Sequence, residues 1–394
     1  MKMDEFELYI HIPFCVKKCL YCDFLSGPSN FSEREKYTEA IINELMLYGP
    51  RFKGRTLTSI FIGGGTPTFL ETEFLIRIVN TVKTEFDLSK DCEITIECNP
   101  KTADHISLLK LRECGINRIS IGLQSANPIE LKTLGRVHNY NDFLRCFEFA
   151  RYANFRNINV DIITGIPGQT EKSLMDTLKK VTILKPEHIS AYDLIIEPGT
   201  YFYEKYHEDD LLRQKGEEPH FLPNEDLEKK FTDLTEDFLK KKGYRQYEIS
   251  NFAKAGYECR HNKGYWERRP YLGVGTGAAS FVDEKRWSNE RDLYKYIKLL
   301  LAPEPILPKV NMTILKKEDS MAEFFYLGLR ELEGVSLKKF KEYFGSDAYP
   351  IYGDVIEHYQ KLGFFDFDGD KLRFTKRGRK VSNYILADFL PDQD

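Results

Sequence analysis

Over its first 200 residues the chain alternates short apolar runs with amphipathic stretches, the periods of strand and helix in turn. The strand-like runs are LYIHI (8–12), LTSIFIG (57–63), CEITIEC (92–98), RISIGLQ (118–124), INVDIITG (158–165) and HISAYDLI (188–195). Between them, Ser32 with Glu35 three positions on reads as a capping box opening a helix through Leu47. Thr170-Glu-Lys-Ser opens another over LMDTLKKVTIL, which stops ahead of Pro186. Further helices are expected over 71–85, 103–114 and 140–152. Six β-then-α units imply a parallel sheet, because parallel strands need a long crossover. Six units suit a partial (β/α)6 barrel better than a closed eight-unit one. A flat doubly wound sheet is the alternative, and periodicity alone does not separate the two.

After residue 200 the texture changes. YFYEKYHEDDLLRQKGEEPHFLPNED (201–226) is polar and turn-rich, which predicts an excursion or lid. A helix over 224–241 leads into the aromatic and glycine-rich stretch 247–281, and APEPILPK (302–309) reads as a stiff linker. Beyond it lie two or three helical patterns and FDFDGDKLRFT, a hairpin signal with an Asp-Gly turn. The expected division is a barrel over 1–300, with an extension over about 201–300, and a helical, winged-helix-like domain over 301–394. Such a domain often binds DNA, but a fold does not establish a function.

A net charge of −4 gives no bulk attraction to nucleic acid, so no nucleic-acid partner is expected. No apolar run approaches the roughly 20 residues of a membrane helix. MKMDEFELYIHIPF lacks the basic region and cleavage site of a secretory signal. The cytoplasm, where thiols stay reduced, is the expected location. Five of the eight cysteines, Cys92, Cys98, Cys114, Cys146 and Cys259, are scattered and read as small buried hydrophobes. The other three, Cys15, Cys19 and Cys22, are clustered, which in a reducing compartment points to metal or redox chemistry.

Three thiolates spaced CxxxCxxC on a loop after a strand fit a [4Fe–4S] cluster with one iron left open for a small molecule. A zinc site completed by His11 and an incidental triplet are the competing readings. The glycine run of GGGTPT (63–68) after the second strand lets backbone N–H groups turn toward a ligand. Glu97 in IECNP suits a ribose hydroxyl or ammonium, Arg136 in LGR a carboxylate, and Gln124 and Asp161 end or lie on later strands. Each alone reads as structural; together they recur near the C-terminal ends of successive strands, where barrel sites assemble.

The cysteine triplet with an aromatic before its last member resembles the radical S-adenosylmethionine (SAM) proteins. That resemblance implies a [4Fe–4S] cluster on Cys15, Cys19 and Cys22, SAM on its open iron, and an electron donor. YIHIPFC, GGGTPT, ECNP, GLQS, LGR, VDIITGIPGQT and SAYDLIIEPGT together resemble the oxygen-independent coproporphyrinogen III oxidase group, from about residue 6 to 310. The match implies SAM contacts at Tyr9, Gly64, Gly65, Thr66 and Glu97, and second-SAM positions at Tyr21, Gln124, Arg136 and Asp161. Phe24 stands where the oxidase carries a further cysteine, and Cys15 lies close to the start of the chain. Both departures match the HemW-type haem chaperones, as does CRHNKGYW (259–266). In that segment His261, with Cys259 as rival, is a candidate haem ligand, Tyr265 and Trp266 can stack on a macrocycle, and Arg260 can pair a propionate. The alternative is a buried hydrogen-bonded turn around His261 and Asn262. The resemblance implies transfer of haem, or another porphyrin, to an acceptor protein that includes membrane-associated ones. The rival function is oxidation of coproporphyrinogen III to protoporphyrinogen IX.

Overall fold

The computed structural model describes residues 4–391; the first and last three residues, assigned above to the ends of the barrel and the appendage, lie outside it. Six strands run in sequence, β1 (Glu5–Ile12), β2 (Thr56–Gly64), β3 (Asp87–Cys98), β4 (Arg118–Gln124), β5 (Asn157–Thr164) and β6 (His188–Asp193). All pair parallel with their sequence neighbours. Between them lie helices α1 (Phe31–Tyr48), α2 (Thr72–Glu85), α3 (His105–Glu113), α4 (Pro128–Thr133), α5 (Tyr140–Tyr152) and α6 (Glu171–Ile183). Strand order follows chain order without reversal. The crossovers therefore lie on one side, and the doubly wound alternative is excluded.

The strands alternate more strictly than their apolar texture suggests. Leu8, Ile10, Ile60, Ile62, Ile94, Ile96, Ile119, Ile121, Ile158 and Val160 belong to the core beneath the helices. The opposite parity carries Glu7, Ser59, Glu93, Glu97, Arg118, Ser120, Asn159, Asp161 and His188, paired across the strands in register. A half-polar sheet face gives the site its floor.

Caps set the helix starts. α1 opens two residues before the Ser32–Glu35 box: Asn30 accepts from the Glu33 N–H at 3.0 Å, and Glu33 accepts from the Asn30 N–H at 2.9 Å. Thr170 and Ser173 cap α6 as the sequence indicates. The polar stretch after residue 200 is a helix, α7 (Tyr201–Gln214), and only the segment after it is a turn. That turn is fastened by Asp209, whose carboxylate accepts from the N–H groups of His220, Phe221 and Leu222 at 2.6–2.7 Å. Helix α8 (Glu225–Lys241) follows and packs on α6.

Downstream strands extend the sheet at both edges. β7 (Arg245–Gln246) and β8 (Asn251–Ala253) add antiparallel beyond β6. After helix α9 (Arg260–Trp266), β9 (Tyr271–Val274) enters parallel on the free side of β1. β10 (Ala279–Val282), β11 (Lys285–Asn289) and β12 (Lys309–Ile314) continue that edge antiparallel, and helix α10 (Leu293–Leu300) packs on α1. The proline-rich stretch thus leads back into the sheet before the chain leaves it. The twelve-stranded sheet stays open between β12 and β7, a partial barrel.

The C-terminal segment has its own core, from Met321 to Phe389. It comprises helices α11 (Lys317–Gly328), α12 (Leu337–Phe344), α13 (Tyr349–Lys361), α14 (Lys376–Arg379) and α15 (Ser382–Ala387). β13 (Val335–Ser336), β14 (Phe365–Phe367) and β15 (Lys371–Phe374) form a small sheet, with Gly369 at φ +99° in the Asp-Gly turn between the last two. Helices with such a wing match the winged-helix-like expectation. Among the described residues no helix is long and apolar enough to cross a membrane.

Candidate functional site

The chain between Cys15 and Gly27 leaves β1 as a lobe that closes on itself. The Cys15 N–H donates to the Gly27 carbonyl and the Gly27 N–H to the Pro13 carbonyl, both at 2.9 Å. The Leu20 N–H donates to the Leu134 carbonyl at 3.2 Å, and the Phe202 N–H to the Leu20 carbonyl at 3.0 Å. Gly135 is needed at this seam, since a Cβ there would lie 2.7 Å from Leu20 Cγ with φ at +73°. Leu20 and Tyr21 pack on a second apolar cluster that includes Leu134, Ile166, Phe202 and Leu222. Three thiols are thus held over the C-terminal ends of the strands by packing on both flanks.

They face a cavity of about 440 Å³. The three cysteines, Tyr21, Gly64, Gly65, Thr66, Glu97, Gln124, Arg136 and Asp161, all singled out from the sequence, line it. Cys15 Sγ lies 3.3 Å from Thr66 Oγ1, and Arg136 Nη1 donates to Cys19 Sγ at 3.4 Å. Arg136 also holds the Gly122 carbonyl through Nη2 at 2.9 Å. Burial pushes the Cys15 thiol up, and the Cys22 thiol up to about 11. Iron charge would reverse that balance and favour thiolate.

The donor set fits a cube better than a single ion. Among the described residues no three of His, Cys, Asp and Glu converge as the ligands of one ion do. His11, the fourth ligand of the zinc reading, has both ring nitrogens engaged, Nδ1 with Tyr9 OH at 3.0 Å and Nε2 with the Leu25 carbonyl at 2.9 Å. Three thiols on one lobe, with no His, Asp or Glu completing a single-ion set among the described residues, are a donor set that suits three corners of a four-iron cluster.

The glycine turn departs from its expected role. Its N–H groups are engaged within the protein: Gly64 donates to Glu97 Oε2 at 3.1 Å, Gly65 to the Ile12 carbonyl and Thr66 to the Phe14 carbonyl, each at 2.8 Å. Backbone bonds from these three residues to a ligand therefore come from carbonyl oxygens, with the Thr66 hydroxyl able to donate or accept, a set that suits an ammonium better than an anion. Close packing requires glycine here. A Cβ on Gly65 would lie 2.8 Å from the Phe14 carbonyl oxygen, and Gly64 sits at φ +111° against the His11 ring. Gly65→Ala is expected to cost about 1–3 kcal/mol and to displace Cys15, seen as a lower urea midpoint together with reduced iron per chain.

Glu97 and Asp161 give the cavity two carboxyl groups. Burial, then the neighbouring Asp161, raises Glu97 to about 8, and burial also raises Asp161. Asp161 accepts from Ser120 Oγ at 2.9 Å and Asn159 Nδ2 at 2.7 Å. The Asn159 amide oxygen accepts from His188 Nδ1 at 2.6 Å, leaving His188 Nε2 to accept from Tyr247 OH at 2.8 Å. This buried relay was not visible in the sequence, where each member reads as an ordinary strand residue. Gln124 is at φ +69°, at an irregularity in the β4–β5 pairing beside the cavity, where bulges commonly re-aim a side chain.

Tyr9 and His261 do not line the cavity, although Tyr9 lies near enough for Glu97 to act on it. Tyr9 stands three residues, roughly 10 Å, before the end of β1, bonded to His11 and stacked near Phe61. His261, on α9, is 1% exposed; Nδ1 pairs with Ser59 Oγ at 2.9 Å and Nε2 with Tyr265 OH at 3.0 Å. Burial, then Arg118, lowers it to about 3, so it is neutral. Cys259 is fully buried, its thiol donating to Glu93 Oε1 at 3.5 Å. The segment is thus a hydrogen-bonded helix with His261 buried, not the expected turn around His261 and Asn262: neither ligand candidate presents a free donor atom to solvent in this conformation, and Tyr265 bonds His261 Nε2.

Comparison with known proteins follows the same lines. The radical SAM superfamily model matches residues 9–181, and the HemN C-terminal domain model matches residues 315–381. Heme chaperone HemW of Bacillus subtilis (strain 168) is 34% identical over 383 residues, covering 97% of this chain and 98% of its own. Heme chaperone HemW of Escherichia coli (strain K12) is 36% identical over 398 residues, covering 100% of each chain. Among solved structures, the radical SAM enzyme coproporphyrinogen III oxidase (HemN) from Escherichia coli superposes with a TM-score of 0.83 at 24% identity, over 98% of this chain and 90% of that one. That likeness carries the fold.

Proposed function

The chain belongs to the HemW heme-chaperone family within the radical SAM superfamily, and from this membership we propose that it binds haem and passes it to an acceptor protein. Cys15, Cys19 and Cys22 hold a [4Fe–4S] cluster, and SAM sits beside it in the cavity. When bound, the cluster supplies one electron, taken from a donor, and an open iron for the amino and carboxylate groups of SAM. The protein's residues bind and orient. Gly64, Gly65, Thr66 and Glu97 offer acceptors for the ammonium, Arg136 steadies Cys19, and Tyr21, Gln124 and Asp161 complete the lining. The observation that carries this reading is the set of three thiols and the acceptor-rich turn on one cavity wall, with glycine packing that forces them together.

The eight cysteines are free thiols, which supports a cytoplasmic setting. The acceptors include proteins at the membrane face. In this reading His261 ligates haem only once Tyr265 releases Nε2. His261→Ala is expected to weaken the Soret shift on haem addition; an unchanged shift places the axial ligand elsewhere. The whole reading is tested by anaerobic reconstitution. About four irons per chain, a change in the electron-spin resonance of the reduced cluster on adding SAM, and haem transfer to an apoprotein are expected. Conversion of coproporphyrinogen to protoporphyrinogen with stoichiometric 5′-deoxyadenosine would overturn it in favour of the oxidase.

A further inference from the structure

Glu97 and Asp161 face the same cavity, but the protein holds them differently. Among the described residues Glu97 accepts from a single donor, the Gly64 N–H. Asp161 accepts from two, Ser120 Oγ on one oxygen at 2.9 Å and Asn159 Nδ2 on the other at 2.7 Å. The Asn159 amide serves a carboxylate only with its NH2 end turned that way; its carbonyl end would require a proton on Asp161. The orientation of that amide is set deeper in the barrel.

The bonds behind Asn159 start from a donor that cannot reverse. The Cys259 backbone N–H donates to the Tyr247 hydroxyl oxygen at 3.2 Å. That hydroxyl has one other partner among the described residues, His188 Nε2 at 2.8 Å, so its own hydrogen goes to this nitrogen. The opposite polarity would bury a hydroxyl hydrogen without an acceptor, which is costly. Nε2 is therefore bare, and the ring proton sits on Nδ1, 2.6 Å from Asn159 Oδ1. Ser190 Oγ donates to the same amide oxygen at 3.2 Å, and Asn159 Nδ2 reaches Ser120 Oγ at 2.7 Å as well as Asp161. Asn159, His188 and Tyr247 are all buried, His188 completely, so these bonds stand out of bulk water and keep their strength.

Given the reading of this cavity as a SAM site, on which the assignment depends, we propose that Tyr247 and His188 are positioning residues. They lock the Asn159 amide with its NH2 toward Asp161, and so hold Asp161 in the cavity as a carboxylate that accepts hydrogen bonds from the ligand. The two carboxyl groups then divide the work, Asp161 carrying the charge and Glu97 the proton. The surroundings of Asp161 agree. Burial lifts its carboxyl, while Ser120, Asn159, Ser190 and Arg118, on β4 to β6, draw it down. Glu97 on β3 and Tyr192 on β6 are the other titratable groups that act on it or feel it.

Heteronuclear NMR spectra of the histidine rings, on the full chain without SAM, give the first test, with the His188 signal identified by its absence from His188→Asn. A neutral ring with its proton on Nδ1, unchanged from about pH 6 to 8, is expected. A proton on Nε2, or on both nitrogens, would overturn the proposal. The second test is SAM binding by calorimetry in buffers of different ionisation enthalpy. In Tyr247→Phe the ring proton is free to move to Nε2 and the Asn159 amide to turn, which protonates Asp161. Affinity for SAM at neutral pH is expected to fall about tenfold, with up to about one more proton released per SAM than in the wild type. His188→Asn, whose amide donates where Nδ1 does, is expected to bind SAM within about threefold of wild type, and His188→Leu to lose as much as Tyr247→Phe. Tyr247→Phe and His188→Leu chains that unfold at lower urea yet keep the wild-type affinity and proton count would show a structural role alone and overturn the proposal. A wild-type chain that binds no SAM sinks the proposed function, while the ring tautomer still decides how Asp161 is held.

Discussion

Glu44→Ala is expected to destabilise the protein by about 3–5 kcal/mol and to lower the iron it retains. Glu44 is fully buried on α1, where it accepts from the Gly275 N–H at 2.9 Å, Asn289 Nδ2 at 2.7 Å and Tyr296 OH at 2.5 Å. Truncation leaves three donors buried without their carboxylate acceptor. The effect reaches the site because the Gly275–Gly277 loop backs the cysteine lobe. Tyr37 OH links the Thr276 N–H to the His11 carbonyl at 2.9 and 2.8 Å, and Gly277 packs on Leu25 so closely that a Cβ would lie 2.6 Å from it. Urea unfolding followed by circular dichroism, with iron counted on the same samples, measures both effects.

The same carboxyl makes stability depend on pH. Burial raises Glu44 from 4.5 to about 7, so the folded chain holds this proton to higher pH than the unfolded chain does. Its contribution is fully present below pH 4.5 and is lost as pH rises through about 7, a change of roughly 3 kcal/mol. Glu44→Gln is expected to remove that part of the decline and to leave the parts that come from Glu97, raised to about 8, and Glu331, raised to about 7. A Gln variant whose stability declines as steeply as the wild type would show that Glu44 does not titrate there.

The second large effect concerns Glu97. Held near 8 by burial and Asp161, it is mostly neutral at pH 7 and has to lose its proton to receive a cation. SAM binding is therefore expected to release a proton at neutral pH and to tighten by up to about tenfold per pH unit below 8, levelling off above it. Calorimetry in buffers of different ionisation enthalpy measures the proton. Glu97→Gln is expected to bind SAM about 10- to 100-fold more weakly, the worth of a charged hydrogen bond, and to lose both the proton release and the slope. A Gln variant with the wild-type pH profile would assign the titration to Asp161.

Much of the scaffold was legible because it is local. Runs such as RISIGLQ are strands by composition, and Thr170 with Ser173 caps α6 from side chains only three residues apart. Cys15, Gly64, Glu97, Gln124 and Asp161 converge because each sits on or just beyond the C-terminal part of a parallel strand, a placement that strand order alone dictates. What stayed hidden depends on contacts between distant segments. The four residues of β9 carry no sign that they will lie beside β1, about 260 positions earlier. The polar inner face was masked because Ser120, Asn159 and His188 alternate with isoleucine and valine in runs that read as apolar. The direction of the glycine turn was likewise hidden, since whether its N–H groups serve ligand or protein depends on Ile12, Phe14 and Glu97 meeting it. Likewise, HNKGYW looks like a ligand motif, yet Ser59 on β2 and Tyr265 claim both nitrogens of His261.

The position of β9 bears on how the chain is made. Its partner β1 leaves the ribosome about 260 residues earlier, and one flank stays bare until Val274 emerges. At ordinary translation speeds that delay is roughly 15–50 s. Throughout it, the nascent strand leading to the cysteine lobe exposes unpaired amide groups to any passing edge, its own neighbours on a polysome included. Chaperone occupancy or slow codons before Tyr271 would act on this interval.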